Sequence, residues 1–299
     1  MRHITLGVRG KVFDLTEEPI VMGILNHTPD SFYPGSRIQG QDNIYRRIEE
    51  IISEGAKIID VGGYSSRPGA DEVPEEEEWR RVSEVLKAIR EVDKGIVVSV
   101  DTFRSNVARK SIEEGDADII NDVSAGLLDP DMFRTAAELG VPYLLMHMRG
   151  TPKTMHHLHE YKGRVVEEAL PELLEQLRRA KEAGIRDEQI ILDPGFGFSK
   201  NGEQNFELLT DLDKFLALDY PLLVGLSRKA FLYKPFGVGP DKALGGTTVV
   251  NTYSLLHGAH ILRVHDVRPA VEAVQIVRQL RKYATEIAHP TQTEEPTHS

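Results

Sequence analysis

Cysteine is absent from the 299 residues, which excludes disulfides, thiolate metal sites and cysteine nucleophiles together. Cations are the scarcer charge, with 36 Lys and Arg against 47 Asp and Glu, a formal net charge of −11 with the 11 His taken as neutral. A nucleic-acid backbone rewards clustered Lys and Arg, so no nucleic-acid partner is expected. An anionic small molecule stays open, because a few local cations can hold a phosphate inside an acidic protein. No apolar run approaches the ~18 residues of a membrane span, and residues 1–15 lack a signal-peptide core. A cytoplasmic protein without a membrane partner is the expectation. Also missing are a glycine-rich dinucleotide fingerprint after the first apolar run and a Ser–His–Asp motif. What is present, 40% hydrophobic and 28% charged residues, suits a large core under a soluble surface.

The length is about twice that of a usual domain, yet α/β barrels reach it as one unit. Residues 2–15 alternate apolar and polar side chains around Arg9-Gly10, which predicts a short β-hairpin. From about Pro19 onward, short runs rich in Ile, Val and Leu alternate with amphipathic stretches. The runs are 20–25, 57–61, 96–100, 118–122, 142–147, 189–192, 221–226 and 259–264, nearly unbroken, as strands buried on both faces should be. Helical patterns cover 43–54, 75–92, 163–183 and 267–287, and Gly55, Gly115, Gly140 and Gly184 stand where a left-handed residue ends a helix. Eight runs, each followed by helix, predict a (β/α)8 TIM barrel preceded by the hairpin, with a doubly wound sheet as the competitor. Residues 1–288 form one domain in this reading, and 289–299, rich in Thr, Glu, Pro and His, form a disordered tail.

In such a barrel chemistry sits where strands end. Here those ends carry Asn26 in MGILNHTPDSF, Ser66, Arg67 and Pro68 in DVGGYSSRPGA, Asp101 in SVDTF and Asn121-Asp122 in IINDV. They continue with Met146 and His147 in LMHMRGTPKTM, Asp193 in LDPGFGFSK, Ser227, Arg228 and Lys229 in VGLSRKAF, and Arg263, His265 and Asp266 in RVHDV. Any one Asp or Asn could simply cap a helix or start a turn. Eight polar strand ends together are harder to ascribe to capping, because buried charges need partners. A convergent site is the stronger reading.

From Pro19 to about Tyr283 these segments, in this order, make the chain resemble the dihydropteroate synthases of folate biosynthesis. The resemblance implies condensation of 6-hydroxymethyl-7,8-dihydropterin diphosphate with p-aminobenzoate to dihydropteroate and diphosphate, with sulfonamides as competitors. It also implies Mg²⁺ and a homodimer. It assigns Asp193, Asp101, Asn121 and Lys229 to the pterin, with Met146 and Phe198 against the ring, although both also suit plain core packing. Arg263 and His265 fall to the diphosphate and Asn26 to Mg²⁺. Residues 263 and 265 share one face of a strand, and an Arg fork suits phosphate oxygens. Ser66 and Arg67 would meet substrate from a loop, with Pro68 shaping the p-aminobenzoate pocket beside Ser227 and Lys229. Candidates for direct catalysis are Asp101, Lys229 and Arg67.

Departures from the family pattern are Ser66, where Thr is common, and Tyr33-Pro34-Gly35-Ser36 after Phe32, where Ser-Asp-Gly-Gly is common and supplies a loop carboxylate. Taken alone, His265 also suits a packed rim histidine, and Asp266 a helix cap. His147 is expected to be buried beneath the pocket, and Glu75 to Glu78 to be dipole-facing acids of a helix start. His156, His157 and His159 lack a further ligand at a matching interval and are not taken as a metal site. The competing functions are a pterin-binding methyltransferase domain, which needs no diphosphate site, and a non-catalytic paralogue of the same fold.

Overall fold

The first strands pair as a hairpin: β1 (Thr5–Val8) runs antiparallel to β2 (Lys11–Asp14), with Val8 opposite Lys11. Both turn residues, Arg9 (φ 50°) and Gly10 (φ 67°), are left-handed, as a two-residue turn matched to strand twist requires. Arg9 then bonds Asp116, Asp118 and the Lys94 carbonyl, fastening the hairpin to the rest of the protein. The structure, a computed structural model, describes residues 3–27, 40–64, 73–151, 154–155 and 158–288. The tail from 289 onward, expected to be disordered, lies outside them.

Each apolar run forms a parallel strand: β3 (Ile20–Asn26), β4 (Ile58–Gly62), β5 (Val97–Asp101), β6 (Ile119–Asp122), β7 (Tyr143–Met146), β8 (Ile190–Asp193), β9 (Leu223–Val224) and β10 (Ile261–Val264). They lie in the order β8-β7-β6-β5-β4-β3-β10-β9, and a parallel bridge from Leu192 to Leu222 brings the two ends of the sheet together. The result is the expected barrel, nearly closed. The expected strand 221–226 shortens to two ladder residues, because the chain leaves the ladder at Gly225 to form the turn closed by Lys229 N–H on the Leu226 carbonyl.

The helices are α1 (Gly40–Ser53), α2 (Glu75–Val92), α3 (Ser105–Glu113), α4 (Met132–Leu139), α5 (Val165–Glu182), α6 (Gly202–Thr210), α7 (Leu212–Leu216), α8 (Ala230–Tyr233), α9 (Leu244–Leu256) and α10 (Val267–Ala288). Gly55, Gly140 and Gly184 take positive φ after their helices as expected. Gly115 does not. The left-handed residue there is Asp116 (φ 56°), and a Cβ at Gly115 would lie 2.4 Å from Leu86 Cδ1, so close packing selects that glycine.

Strand residues alternate between two cores, as the two-residue period demands. Val21, Ile59, Val98, Ile120, Leu145, Leu192, Val224 and Leu262 face the helices. Ile20, Ile58, Val97, Ile119, Leu144, Ile191, Leu223 and Ile261 fill the lower barrel interior, joined by Ile4, Leu6, Val8 and Leu15 from the hairpin region. The hairpin is therefore a plug. One step of two residues further along the same inward face, the side chains turn polar at Asp60, Ser99, Asn121, Asp193 and Arg263, and that layer is the floor of the site.

Candidate active site at the mouth of the barrel

Arg263 is the centre of the inward polar layer. Its Nε donates to Asp60 Oδ2 at 2.6 Å and its Nη2 to Asp101 Oδ2 at 2.6 Å. Asp60 has no exposed surface, and the Arg263 side chain keeps about one-fifth of its own. Among the described residues Nη1 of Arg263 has no hydrogen-bond partner, so its two N–H donors are left for a ligand. Burial pushes the Asp101 carboxyl up from the usual range, and the adjacent Arg263 charge works against that rise.

Asn121 donates through Nδ2 to both oxygens of Asp60, at 3.2 and 3.1 Å. A carboxylate only accepts, so the amide orientation is dictated and Oδ1 is the atom left for a ligand. The sequence left Asn121 able to donate or accept; its neighbour narrows it to an acceptor.

Asp193, at the end of β8, is buried. Its Oδ1 accepts from Gly195 N–H at 2.7 Å, while Oδ2 lies above Gly225, 3.9 Å from where a Cβ would stand. Burial raises this carboxyl, opposed by the Gly195 N–H and then by Lys229, Arg263 and Lys200. The next loop lies hard on β7: a Cβ at Gly195 (φ 71°) would fall 1.9 Å from the His147 carbonyl, so only glycine fits. Lys229 crosses this loop, donating to the Phe196 carbonyl at 2.6 Å with its ammonium 4.2 Å from the centre of the Phe198 ring. Burial lowers its pKa to about 8, against the pull of Asp193. Met146 is buried at the top of the inner apolar cluster and Phe198 packs on it from the edge. Both therefore do core work whatever else they touch.

Ser227 and His265 meet: Ser227 Oγ accepts from the His265 backbone N–H at 3.1 Å and lies 3.0 Å from His265 Nδ1. Residues expected in two subsites are thus neighbours, as they must be if a bond breaks and another forms at one carbon. Asn26 ends β3 with its Oδ1 over Gly62, 2.8 Å from where a Cβ would be. Ser66, Arg67 and Pro68, most of both expected loops, and His156 and His157 lie outside the described residues.

This mouth can be set beside known proteins. A family model described as pterin binding enzyme matches residues 22–265. The dihydropteroate synthase of Escherichia coli (strain K12) is 44% identical over 272 residues, covering 91% of this chain and 95% of its own. The chain belongs to the dihydropteroate synthase family. Among solved structures, the Yersinia pestis dihydropteroate synthase in a sulfonamide drug complex superposes with a TM-score of 0.86 at 39% identity, covering 93% of this chain and all of its own. The Xanthomonas albilineans enzyme in complex with 7,8-dihydropteroate gives 0.82 at 34%, covering 93% and 98%.

Three side chains of this dihydropteroate synthase fold differ from what the sequence suggested. Glu78 stands in the acidic first turn of α2 as expected, but it is fully buried, bonding Thr102 Oγ1 at 2.6 Å and Arg104 Nη1 at 2.5 Å, and burial raises its carboxyl. Asp266 spends both oxygens on Arg228, at 2.9 and 2.7 Å. Arg263, expected as an anion clamp, is first of all the counter-ion of two carboxylates. Two buried groups went unnoticed, Asp60 and Lys200. A charged residue inside the apolar run 57–61 was the available signal for Asp60; Lys200 stood inside a quoted motif with nothing local to mark it. His147 is buried as expected, with burial lowering its pKa to about 4.

Proposed function

We propose that this mouth condenses 6-hydroxymethyl-7,8-dihydropterin diphosphate with p-aminobenzoate, giving 7,8-dihydropteroate and diphosphate. One observation carries the reading. The floor offers acceptors, Asp193 Oδ2 and Asn121 Oδ1, within the same polar layer as an arginine with free donors. The acceptors suit the donor edge of a flat heterocycle, and the arginine suits a departing anion. The relatives described with a sulfonamide and with 7,8-dihydropteroate support the same ligand classes here, with sulfonamides competing for the p-aminobenzoate position.

In this proposal Asp193 and Asn121 accept from the pterin edge, Lys229 donates to ring acceptors, and Met146 and Phe198 wall the ring. The pterin methylene–oxygen bond breaks with its electron pair leaving on diphosphate, received by Arg263 Nη1 and His265. The Asp101 carboxylate stabilises the positive charge left on the methylene, and the p-aminobenzoate nitrogen then attacks that carbon and loses a proton to solvent. Ser227, with Ser66, Arg67 and Pro68, holds the amine.

Among the described residues no group of three or more His, Asp or Glu is placed to hold a metal. A lone Asn26 oxygen nevertheless fits Mg²⁺, an ion that takes few protein ligands beside phosphate and water. Bound there it would neutralise charge on the diphosphate.

The test is diphosphate release measured with and without p-aminobenzoate and Mg²⁺. Release that needs both supports the reading; a methyltransferase domain or a non-catalytic paralogue would give none. A homodimer is also proposed: α9 and α10 pack together and expose Val249, Leu256, Ile276, Leu280 and Tyr283, an apolar set suited to a second copy. Light scattering at the monomer mass would refute it. A cytoplasmic location and the lack of a nucleic-acid partner belong to the same proposal, in keeping with the acidic composition. Among the described residues no helix is long and apolar enough to cross a membrane.

A further inference from the structure

Two lysines grip the loop after β8, and they approach it from different sides. Lys229 reaches over it at the mouth. Lys200, almost wholly buried, holds it from within: its Nζ donates to the Gly195 carbonyl at 3.0 Å and the Phe198 carbonyl at 3.0 Å, and lies 2.9 Å from His147 Nδ1. An ammonium has three N–H donors and no acceptor, so this geometry uses all three. His147 must then accept at Nδ1 and carry its proton on Nε2, which lies 2.9 Å from Glu172 Oε2. Glu172 is in turn bonded by Arg149 Nε at 2.9 Å. The four side chains form a continuous line from the loop after β8 to the half-exposed Glu172 on α5.

A buried cation is expensive unless it is paired, and burial lowers the Lys200 pKa to about 7, opposed mainly by the charge of Asp193. Asp193, His147, Lys229, Arg149 and Glu172 are the charged and titratable groups around it. The two carbonyls it serves belong to residues that flank the working parts of the loop. Gly195 also supplies the N–H that orients Asp193, and Phe198 carries the ring under Lys229.

We propose that Lys200 is a positioning residue for the condensation: tied through His147 and Glu172 to Arg149, it sets the loop that aims Asp193 Oδ2 and the Phe198 ring at the pterin. It touches no substrate and works through those two residues. The inference rests on the functional reading above and adds a residue to which neither the family pattern quoted nor the strand-end argument gave a role.

A mere strut would lower stability and the active fraction while leaving the Michaelis constants alone. A positioning residue acts on one substrate. The full-length Lys200→Met variant is therefore compared with wild type by thermal melting, by calorimetry with the pterin diphosphate, and by steady-state kinetics in both substrates. The expected result is a rise of about ten- to a hundredfold in the pterin Kd and KM, in line with loss of hydrogen bonds to a charged group. The KM for p-aminobenzoate should stay within about twofold of wild type on the same scale. An unchanged pterin KM in folded Lys200→Met, or an equal rise in both constants, overturns the proposal. If Lys200→Met does not fold, Glu172→Gln decides, since its side chain is well exposed and it weakens only the outer end of the line. It should raise the pterin KM alone by about threefold, and no change overturns the proposal. Wild-type protein that releases no diphosphate would sink the functional reading and this one with it. Wild-type turnover with unaffected variants sinks only the role of Lys200.

Discussion

The lower and upper parts of the barrel interior are made by the same strands and differ by one step of two residues. Ile58, Val97, Ile119, Ile191 and Ile261 look inward below. Asp60, Ser99, Asn121, Asp193 and Arg263 look inward above. The lower layer is closed by the hairpin plug and gains from burial alone, at roughly 25 cal/mol per Å² of apolar surface. The upper layer is almost as buried, yet each of its charges must be matched by name: Asp60 by Arg263 and Asn121, Asp193 by Gly195 N–H and two nearby lysines. Stability is stored where any well-shaped apolar side chain would serve. Chemistry sits where partners are specific, and there a single substitution strands its neighbours.

The hardest test of this contrast is Arg263→Ala. It leaves Asp60 and Asp101 facing each other without their counter-ion, so it should cost about 3–5 kcal/mol of stability as well as nearly all activity. Binding of a neutral pterin should fall too, because Asp60 orients Asn121. A denaturant melt and calorimetry with both ligands check it, and a variant with wild-type stability would show that the carboxylates are not a coupled set. Leu144→Ala in the lower layer should cost roughly 2–5 kcal/mol while leaving both Michaelis constants of the folded fraction unchanged. Altered constants would mean that the two layers are not separable.

Asp193→Asn probes the upper layer more gently. The amide oxygen can still accept from Gly195, but an NH2 then faces a donor edge. Pterin affinity should fall by about ten- to a hundredfold, with a stability loss smaller than that of Arg263→Ala, because Lys200 and Lys229 lose a nearby counter-charge but keep their carbonyl partners. Equal affinity by calorimetry would sink the pterin role.

The smallest effect concerns pH at the lower rim. His260 is buried there, its Nδ1 accepting from Leu222 N–H at 3.0 Å, and burial lowers its pKa to about 4. Unfolded, it takes up a proton near pH 6.5; folded, it refuses one until about pH 4. Its contribution is therefore complete above pH 6.5 and declines as the pH falls toward 4. His260→Asn should flatten the fall of melting temperature across that window, and parallel curves for variant and wild type would refute the assignment.

Much of this was legible in the amino-acid order. Short, nearly unbroken runs of Ile, Val and Leu read as strands covered on both faces, and the two-residue period placed Arg263 and His265 on a common side. Helix α2 begins and ends where its pattern says, at Glu75–Val92, because an amphipathic stripe is a local property. The motifs at the strand ends likewise carried the family. Pairing was not local. Arg263 and Asp60 are 203 residues apart, and Asn121 and Asp60 are 61 apart; only assembly of the parallel sheet, which leaves a single strand between β4 and each of β10 and β6, brings them within hydrogen-bond reach. That assembly decided that Arg263 serves two carboxylates, that Asn121 spends its amide N–H on Asp60 and keeps its oxygen, that Glu78 is interior, and that Lys200 meets His147. A residue type states which bonds a side chain can make. Which of them it does make is decided by the buried neighbours it cannot avoid, and those are chosen by the tertiary fold.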